Sequence, residues 1–492
     1  MITNRIYEWA RTHPAKTAMI HNDHPCSYAV FARAIEVTKN FFKDQSLPAG
    51  QTAIVRIDNL ADAWIITLGL RSIGLTTICV SSLARAKALN IKNVACIVMT
   101  EADKDQIEEQ IWVGTPVIIV PKILIYASIH SGNIPRPSSD NPPFGGHILY
   151  TSGTTGSYKK VLKEGANEEK RNAYRARAAS YHFDTVYFMA DYGLWTNQGF
   201  AVPAAVWHVG GSIVISQVPA RFLSSLRHGV TDAWFPPPTL KSLLQLREVS
   251  ADPVGEFQLL VGGSFVPLDL VEQAVDRLTK KVAITYAATE HTSRMLSQFR
   301  TSDDVHWLSP VTGSMFEIVD ENGEERPAGM KGELRVRLRD IDSTFYLDDE
   351  EATRSFFRDG YFYPGDLAVR RADGRIRVLG RVADVLNVQG RKIAVGPIEL
   401  KIREFLKVDA VCLFSFLNDD GKEELVVAIE AIKLPQQSQF DRIAHEFRSF
   451  GGVRFEILRE FPRTDAGLQK IKRTELREIV VGKGAREGGD LN

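Results

Sequence analysis

Tyr150-Thr151-Ser152-Gly153-Thr154-Thr155-Gly156-Ser157-Tyr158-Lys159-Lys160 starts on the last residue of His147-Ile148-Leu149-Tyr150, a run that reads as a β-strand. Five Ser/Thr residues, two glycines and two lysines make it a flexible loop whose amides, hydroxyls and ammonium groups can surround a polyphosphate. The P-loop spacing, four residues between glycines and then Gly-Lys-Ser/Thr, is absent, so a P-loop fold is the wrong inference. Upstream, residues 135–146 are rich in Pro, Ser, Asn and Gly and read as a surface loop leading into the strand. Further out on both sides, β-rich runs (52–57, 95–99, 116–120, 212–215, 259–261 and 282–285) alternate with helical patterns such as 61–73 and 239–247. Such alternation predicts an α/β fold with largely parallel sheets flanked by helices. From Glu317 the texture changes to hairpins, with turns at Glu321-Asn322-Gly323 and Ala372-Asp373-Gly374, and predicts a β-hairpin subdomain. After Gly380 the remaining residues carry their own helix and strand patterns. We therefore divide the chain into residues 1–380 and a small α+β C-terminal domain, 381–492.

With 492 residues, 44% hydrophobic and 24% charged, the chain has globular composition, which excludes disordered, fibrous and small disulfide-built classes. Sixty basic residues balance sixty acidic ones, so no global field draws nucleic acid or an anionic membrane, and neither is an expected partner. Cys26, Cys79, Cys96 and Cys412 have neither zinc-ligand spacing nor disulfide density and read as free thiols in a reducing compartment. The N-terminus lacks a signal-peptide pattern and no apolar run reaches 18 residues. These features predict a cytoplasmic protein. His147, His208 and His291 have no partner at metal-ligand spacing.

The phosphate-loop string resembles Tyr-Thr-Ser-Gly-Thr-Thr-Gly-x-Pro-Lys-Gly of the adenylate-forming enzymes, which comprise acyl-CoA synthetases, peptide-synthetase adenylation domains and luciferases. Here Tyr158 replaces Pro and Lys160 replaces Gly. Further likenesses follow in order along nearly the whole chain. Leu260-Val261-Gly262-Gly263-Ser264 resembles the Gly-Gly segment of the family's pocket wall, and Thr285-Tyr286-Ala287-Ala288-Thr289-Glu290 its Tyr-Gly-x-Thr-Glu motif. Gly332-Glu333-Leu334, Gly365-Asp366-Leu367 and the hinge-like stretch from Gly380-Arg381 to Gly390 complete the series. Trp234-Phe235-Pro236-Pro237-Pro238 resembles its adenine-side strand.

The resemblance implies ATP-dependent conversion of a carboxylic acid to acyl-AMP, with Mg²⁺ as cofactor and a thiol, most often CoA, as acceptor. A carrier-protein phosphopantetheine or an amine stays open as acceptor. It places Thr151, Ser152, Gly153, Thr154, Thr155, Gly156 and Lys159 around the phosphates, and Gly262, Gly263, Tyr286, Ala287 and Thr289 around the nucleotide. Asp366 and Arg381 fall on the ribose side and Gly390 near the acceptor. Glu290, with Thr151, is the implied Mg²⁺ site, since a hard cation takes oxygen ligands. The resemblance also makes 381–492 a mobile domain carrying a catalytic lysine. Leu468 occupies that lysine's usual place; an insertion of two residues moves the role to Lys470, with Lys472 as the alternative. Ala383 stands where acyl-CoA synthetases have Asp or Lys. These two departures motivate a second reading, a nucleotide-binding scaffold that has lost activation. Amino acids are disfavoured as substrates, because the position of the amine-binding Asp falls near Gln198, unless an indel moves Asp191 there. His291 and the aromatic residues Tyr187, Phe188, Tyr192, Trp195 and Phe200 are candidates to line the acid pocket, with ordinary core as their alternative.

Overall fold

The computed structural model describes all residues except 104–113, 122–132, 138–143, 153–157, 250–252, 383–384, 389–390, 418–422, 432–433, 449–451, 464–470 and 488–492. Two sheets dominate the larger part. In the first, Val117–Val120, Val94–Thr100, Thr52–Val55, Thr76–Cys79 and His147–Ser152 run parallel, and the hairpin partner Tyr158–Lys163 closes one edge antiparallel. The second has nine strands; Val282–Ala287, Gln258–Gly262, Asp232–Phe235, Val186–Met189, Ser212–Ile215 and Thr17–His21 form its parallel centre, with antiparallel strands at both edges. Strands covered on both faces need apolar side chains throughout, and Val-Ala-Cys-Ile-Val-Met-Thr at Val94–Thr100 is buried from Ala95 onward. The α/β expectation with parallel-rich sheets holds.

One hydrophobic core joins the two sheets, since Ala53, Val55, Cys96 and Leu149 of the first belong to the same cluster as Met19, Met189 and Ile213 of the second. The helix Leu60–Ser72 runs through it. Asn59 caps this helix through Oδ1, which accepts from the amides of Ala61 and Asp62, and every residue from Asp62 to Ser72 is buried. A helix apolar on all sides has no solvent face to offer, so it becomes core. Its one deeply buried cation, Arg71, pairs with Glu168 at 2.7 Å. His147 is core as well: its ring stacks on Phe200 at 3.8 Å, bonds Thr77 Oγ1 and Leu194 O, and burial lowers its pKa to about 3.

The hairpin region forms a six-stranded sheet in which Phe316–Val319, Lys331–Arg337, Asp366–Arg370 and Ile376–Arg381 pair antiparallel. Lys331–Arg337 alternates buried Gly332, Leu334 and Val336 with more exposed charged residues, the period of a strand covered on one side. Beyond it, Ala410–Leu417, Glu423–Glu430 and Arg454–Leu458 make a three-stranded sheet packed against the helix Val395–Leu406. This C-terminal sheet has its own apolar clusters. It meets the larger part through side chains: Lys241 Nζ lies 2.6 Å from Asp409, His306 Nε2 lies 3.3 Å from Glu404, and Arg403 covers the Phe265 ring at 3.1 Å.

Two local readings change. Residues 135–146 do not end as a surface loop, because Gly145 and Gly146 are buried. A Cβ on Gly145 would lie 1.7 Å from Leu75 O, so the composition that suggested solvent instead permits a close backbone crossing. The predicted helix 239–247 is Pro237–Leu244, begun by prolines at its first turn. The cysteines are free, three of them buried, as expected. Among the described residues no helix is long and apolar enough to cross a membrane.

Candidate functional site

A cavity of about 1260 Å³ opens between the edges of the two large sheets, the hairpin sheet and the C-terminal sheet. Strand ends deliver its polar groups, as expected where parallel strands terminate together. Thr151 stands opposite Lys159 in the hairpin register, and both line the cavity. Tyr286, Ala287, Thr289 and Glu290 continue one central strand of the nine-stranded sheet into it. Asp366 and Arg381 face each other across two paired strands of the hairpin sheet and line its far side. Gly263 lines the wall at the end of the neighbouring strand Gln258–Gly262. Of the remaining predicted residues, Gly153, Thr154, Thr155, Gly156, Gly390 and Lys470 lie outside the described residues, as do Ala383, Leu468 and the side chain of Ser152.

Contacts fix these groups closely. Tyr286 donates to Asp366 Oδ2 at 2.5 Å, and Arg381 Nε approaches Oδ1 at 3.1 Å while its Nη1 donates to Pro364 O. Burial and the Asp366 charge push the Tyr286 pKa far up, so its hydroxyl remains a donor. Asp366 thus has both oxygens engaged within the protein, and any further donor must share them. Tyr346, invisible as a site residue in the sequence, donates to Glu290 Oε1 at 2.8 Å. Lys159 lies 3.2 Å from the centre of the Phe356 ring. Lys160, which departs from the family's Gly, ties the hairpin to Asp348 at 2.9 Å and to Asn90 O at 3.2 Å.

Lys163 is the main residue that sequence reasoning missed. Its ammonium is buried and donates to Thr289 O at 2.6 Å, with Glu290 O and Ser343 Oγ at 3.4 Å. It therefore holds the backbone of the Thr-Glu pair. The available signal was parity, since Lys163 shares the inward face of its strand with Val161. Burial first, then Arg171 and Arg175, lower its pKa to about 7. The unfolded chain keeps that proton up to about 10.5, so between about pH 7 and 10.5 the unfolded state binds more protons and stability rises with pH. Guanidinium melts should show wild type gaining on the order of a few kcal/mol relative to Lys163→Met across this window. A difference independent of pH would refute the assignment.

Gly262, unlike Gly263, does not line the cavity, and its place is sterically demanding. Gly262 pairs with Thr285, and a Cβ there would lie 2.3 Å from Thr285 O, in backbone that cannot yield cheaply. Gly262→Ala is expected to cost about 1–3 kcal/mol, read as a lowered denaturant midpoint. An unchanged midpoint would count against it.

Among the described residues no group of three His, Cys, Asp or Glu could hold a metal ion. Glu290 Oε2, which makes no hydrogen bond to a described residue, would suit as one oxygen ligand of a Mg²⁺ held otherwise by phosphate oxygens and water. Gln198 lines the cavity and accepts from Tyr187 at 2.9 Å, whereas Asp191 is exposed and does not line it. Tyr187, Tyr192, Trp195, Trp234 and His291 line it too, while Phe188 and Phe200 belong to the core. Lys472 reaches the wall but pairs with Glu475 at 3.2 Å.

Among curated proteins, the chain is 26% identical over 382 residues to triostin synthetase I of Streptomyces triostinicus, covering 72% of this chain and 68% of that one. It is 23% identical over 368 residues to the medium-chain fatty-acid–CoA ligase of Escherichia coli K12, covering 68% of this chain and 61%, less than two thirds, of the relative. Among solved structures, the anthranilate CoA ligase AuaEII in complex with anthranoyl-AMP superposes with a TM-score of 0.80 at 16% identity, over 98% of both chains. The model of the AMP-binding enzyme family matches residues 6–341, more than half of the sequence. The chain therefore belongs to the AMP-binding enzyme family, within the adenylate-forming superfamily.

Proposed function

We propose that the protein activates a carboxylic acid with ATP, forming acyl-AMP and pyrophosphate, and then passes the acyl group to a thiol, CoA by preference. The observation that carries this reading is the convergence of Thr151, Lys159, Tyr286, Thr289, Glu290, Asp366 and Arg381 on one cavity. A carboxylate is a poor electrophile; when its oxygen attacks the α-phosphorus, pyrophosphate leaves and the acid becomes a mixed anhydride whose AMP group departs readily. Asp366, held by Tyr286 and Arg381, orients the ribose hydroxyls. Thr151 and Thr289 contact the α-phosphate, with Lys163 holding Thr289 in place. Bound at Glu290, Mg²⁺ would neutralise phosphate charge and favour the departing pyrophosphate. The ammonium of Lys470 would balance charge building at the pentavalent phosphorus. The exposed position of Asp191, outside the cavity, favours an acid without an α-amine over an amino acid.

ATP–pyrophosphate exchange across a panel of carboxylic acids tests the first half-reaction, and supplying CoA, a phosphopantetheinyl protein or simple amines to the acyl-AMP tests the second. Exchange with at least one acid, followed by thioester formation with CoA, is expected. ATP binding without exchange for any acid would leave the scaffold reading in its place.

A further inference from the structure

Two partly buried arginines that line the cavity have no carboxylate partner among the described residues. Arg175 lies in the last turn of the helix Glu168–Ala178, and Arg294 opens the strand Arg294–Gln298 opposite Ala287. Both line the cavity, together with Ala178, Ala179, Tyr181 and Ser293. Arg294 donates through Nη2 to Ala178 O, while its Nε is buried without a partner. Arg175 makes no side-chain hydrogen bond to a described residue, and among the described residues no carboxylate lies within 4.0 Å of either guanidinium. Arg71, by contrast, is paired with Glu168, and Arg335 with Glu317 at 2.7 Å.

The nearby acids are committed elsewhere. Asp342, whose charge Arg175 feels, accepts from Thr292 N at 2.7 Å, Thr292 Oγ1 at 2.8 Å and Arg339 N at 3.0 Å. Asp232 accepts from Thr231 Oγ1 at 2.7 Å, and Glu290 serves the nucleotide side. Burial, then Arg171, lowers the Arg175 pKa to about 10, as expected for a cation held among cations. Tyr181 lines the same wall, and its hydroxyl makes no side-chain hydrogen bond to a described residue. Desolvated guanidinium groups without anions are unfavourable, and a planar fork is the donor arrangement that matches a carboxylate.

We infer that the acid activated here is a dicarboxylic acid, one carboxylate reacting beside Thr289 and the other held by Arg175 and Arg294 with the Tyr181 hydroxyl. This rests on the adenylation reading and narrows its substrate class. It also assigns a function to Arg175: a site built to bond a polar group rejects the analogue that lacks it far more strongly than an apolar pocket rejects a missing methylene.

The test compares dicarboxylic acids, aliphatic and aromatic, with their monomethyl esters in ATP–pyrophosphate exchange. Diacids are expected to exceed their half-esters in kcat/KM by about 100-fold, through KM. In Arg175→Gln the ratio should collapse towards parity, and Arg175→Lys should restore part of it; melting with bound ATP verifies that each variant is folded. Half-esters or simple monoacids preferred by wild type, or a ratio that Arg175→Gln leaves intact, would overturn the inference. Calorimetric titration of the diacids onto the protein with ATP and Mg²⁺ separates the two levels. If no acid supports exchange yet diacids bind and Arg175→Gln abolishes that binding, the adenylation reading fails and the two-arginine site stands. Absence of both exchange and binding overturns the site as well.

Discussion

Replacing Glu290 by Gln is expected to lower acid-dependent ATP–pyrophosphate exchange by about 10²–10³-fold and to raise the Mg²⁺ concentration needed for half-maximal rate. The substitution is nearly isosteric. Tyr346 donates to Glu290 Oε1 at 2.8 Å, and an amide oxygen can accept the same bond, so the local packing is kept. The negative charge is lost, at a position where the described residues offer no alternative cluster of metal ligands. A cation bound mainly by phosphate and water depends strongly on its one carboxylate. Melting should shift by no more than a few degrees. Exchange within tenfold of wild type would remove Glu290 from the metal site.

Lys470→Ala should cost a similar factor, about 10²–10³-fold, in the same exchange assay, because an ammonium that meets charge developing only in the transition state acts on kcat. Arg463 and Ile471 pair across the ends of residues 464–470, and both line the cavity. Lys472 has other work, with its side chain at Glu475 and its amide donating to Pro462 O at 2.8 Å. Lys472→Ala is therefore expected to cost about tenfold at most. A larger loss for Lys472→Ala than for Lys470→Ala would reverse the two roles.

The fold was legible because its signals are local. Apolar runs such as Val94–Thr100 declare strands covered on both faces, and the motif glycines and hydroxyls mark where strands end at the cavity. What stayed hidden depends on residues distant in the chain. Lys163 reaches Thr289 across 126 positions and Tyr346 reaches Glu290 across 56, and no periodicity connects either pair. Arg175 drew no notice in the sequence, and only the fold shows that among the described residues no carboxylate lies within 4.0 Å of it. Gly145 misled in the opposite direction, since a glycine-rich stretch is equally suited to solvent and to a tight crossing beneath Leu75. Lys160, a departure from the family string, became intelligible only with Asp348 and Asn90 beside it.

The C-terminal sheet meets its larger neighbour partly through polar side chains such as Lys241 with Asp409, a charge pair more than a third exposed on both sides, and His306, which burial keeps neutral beside Glu404. A charge pair this wet contributes well under about 1 kcal/mol and fades with added salt. That share of the seam is therefore the part that raised ionic strength should slacken first.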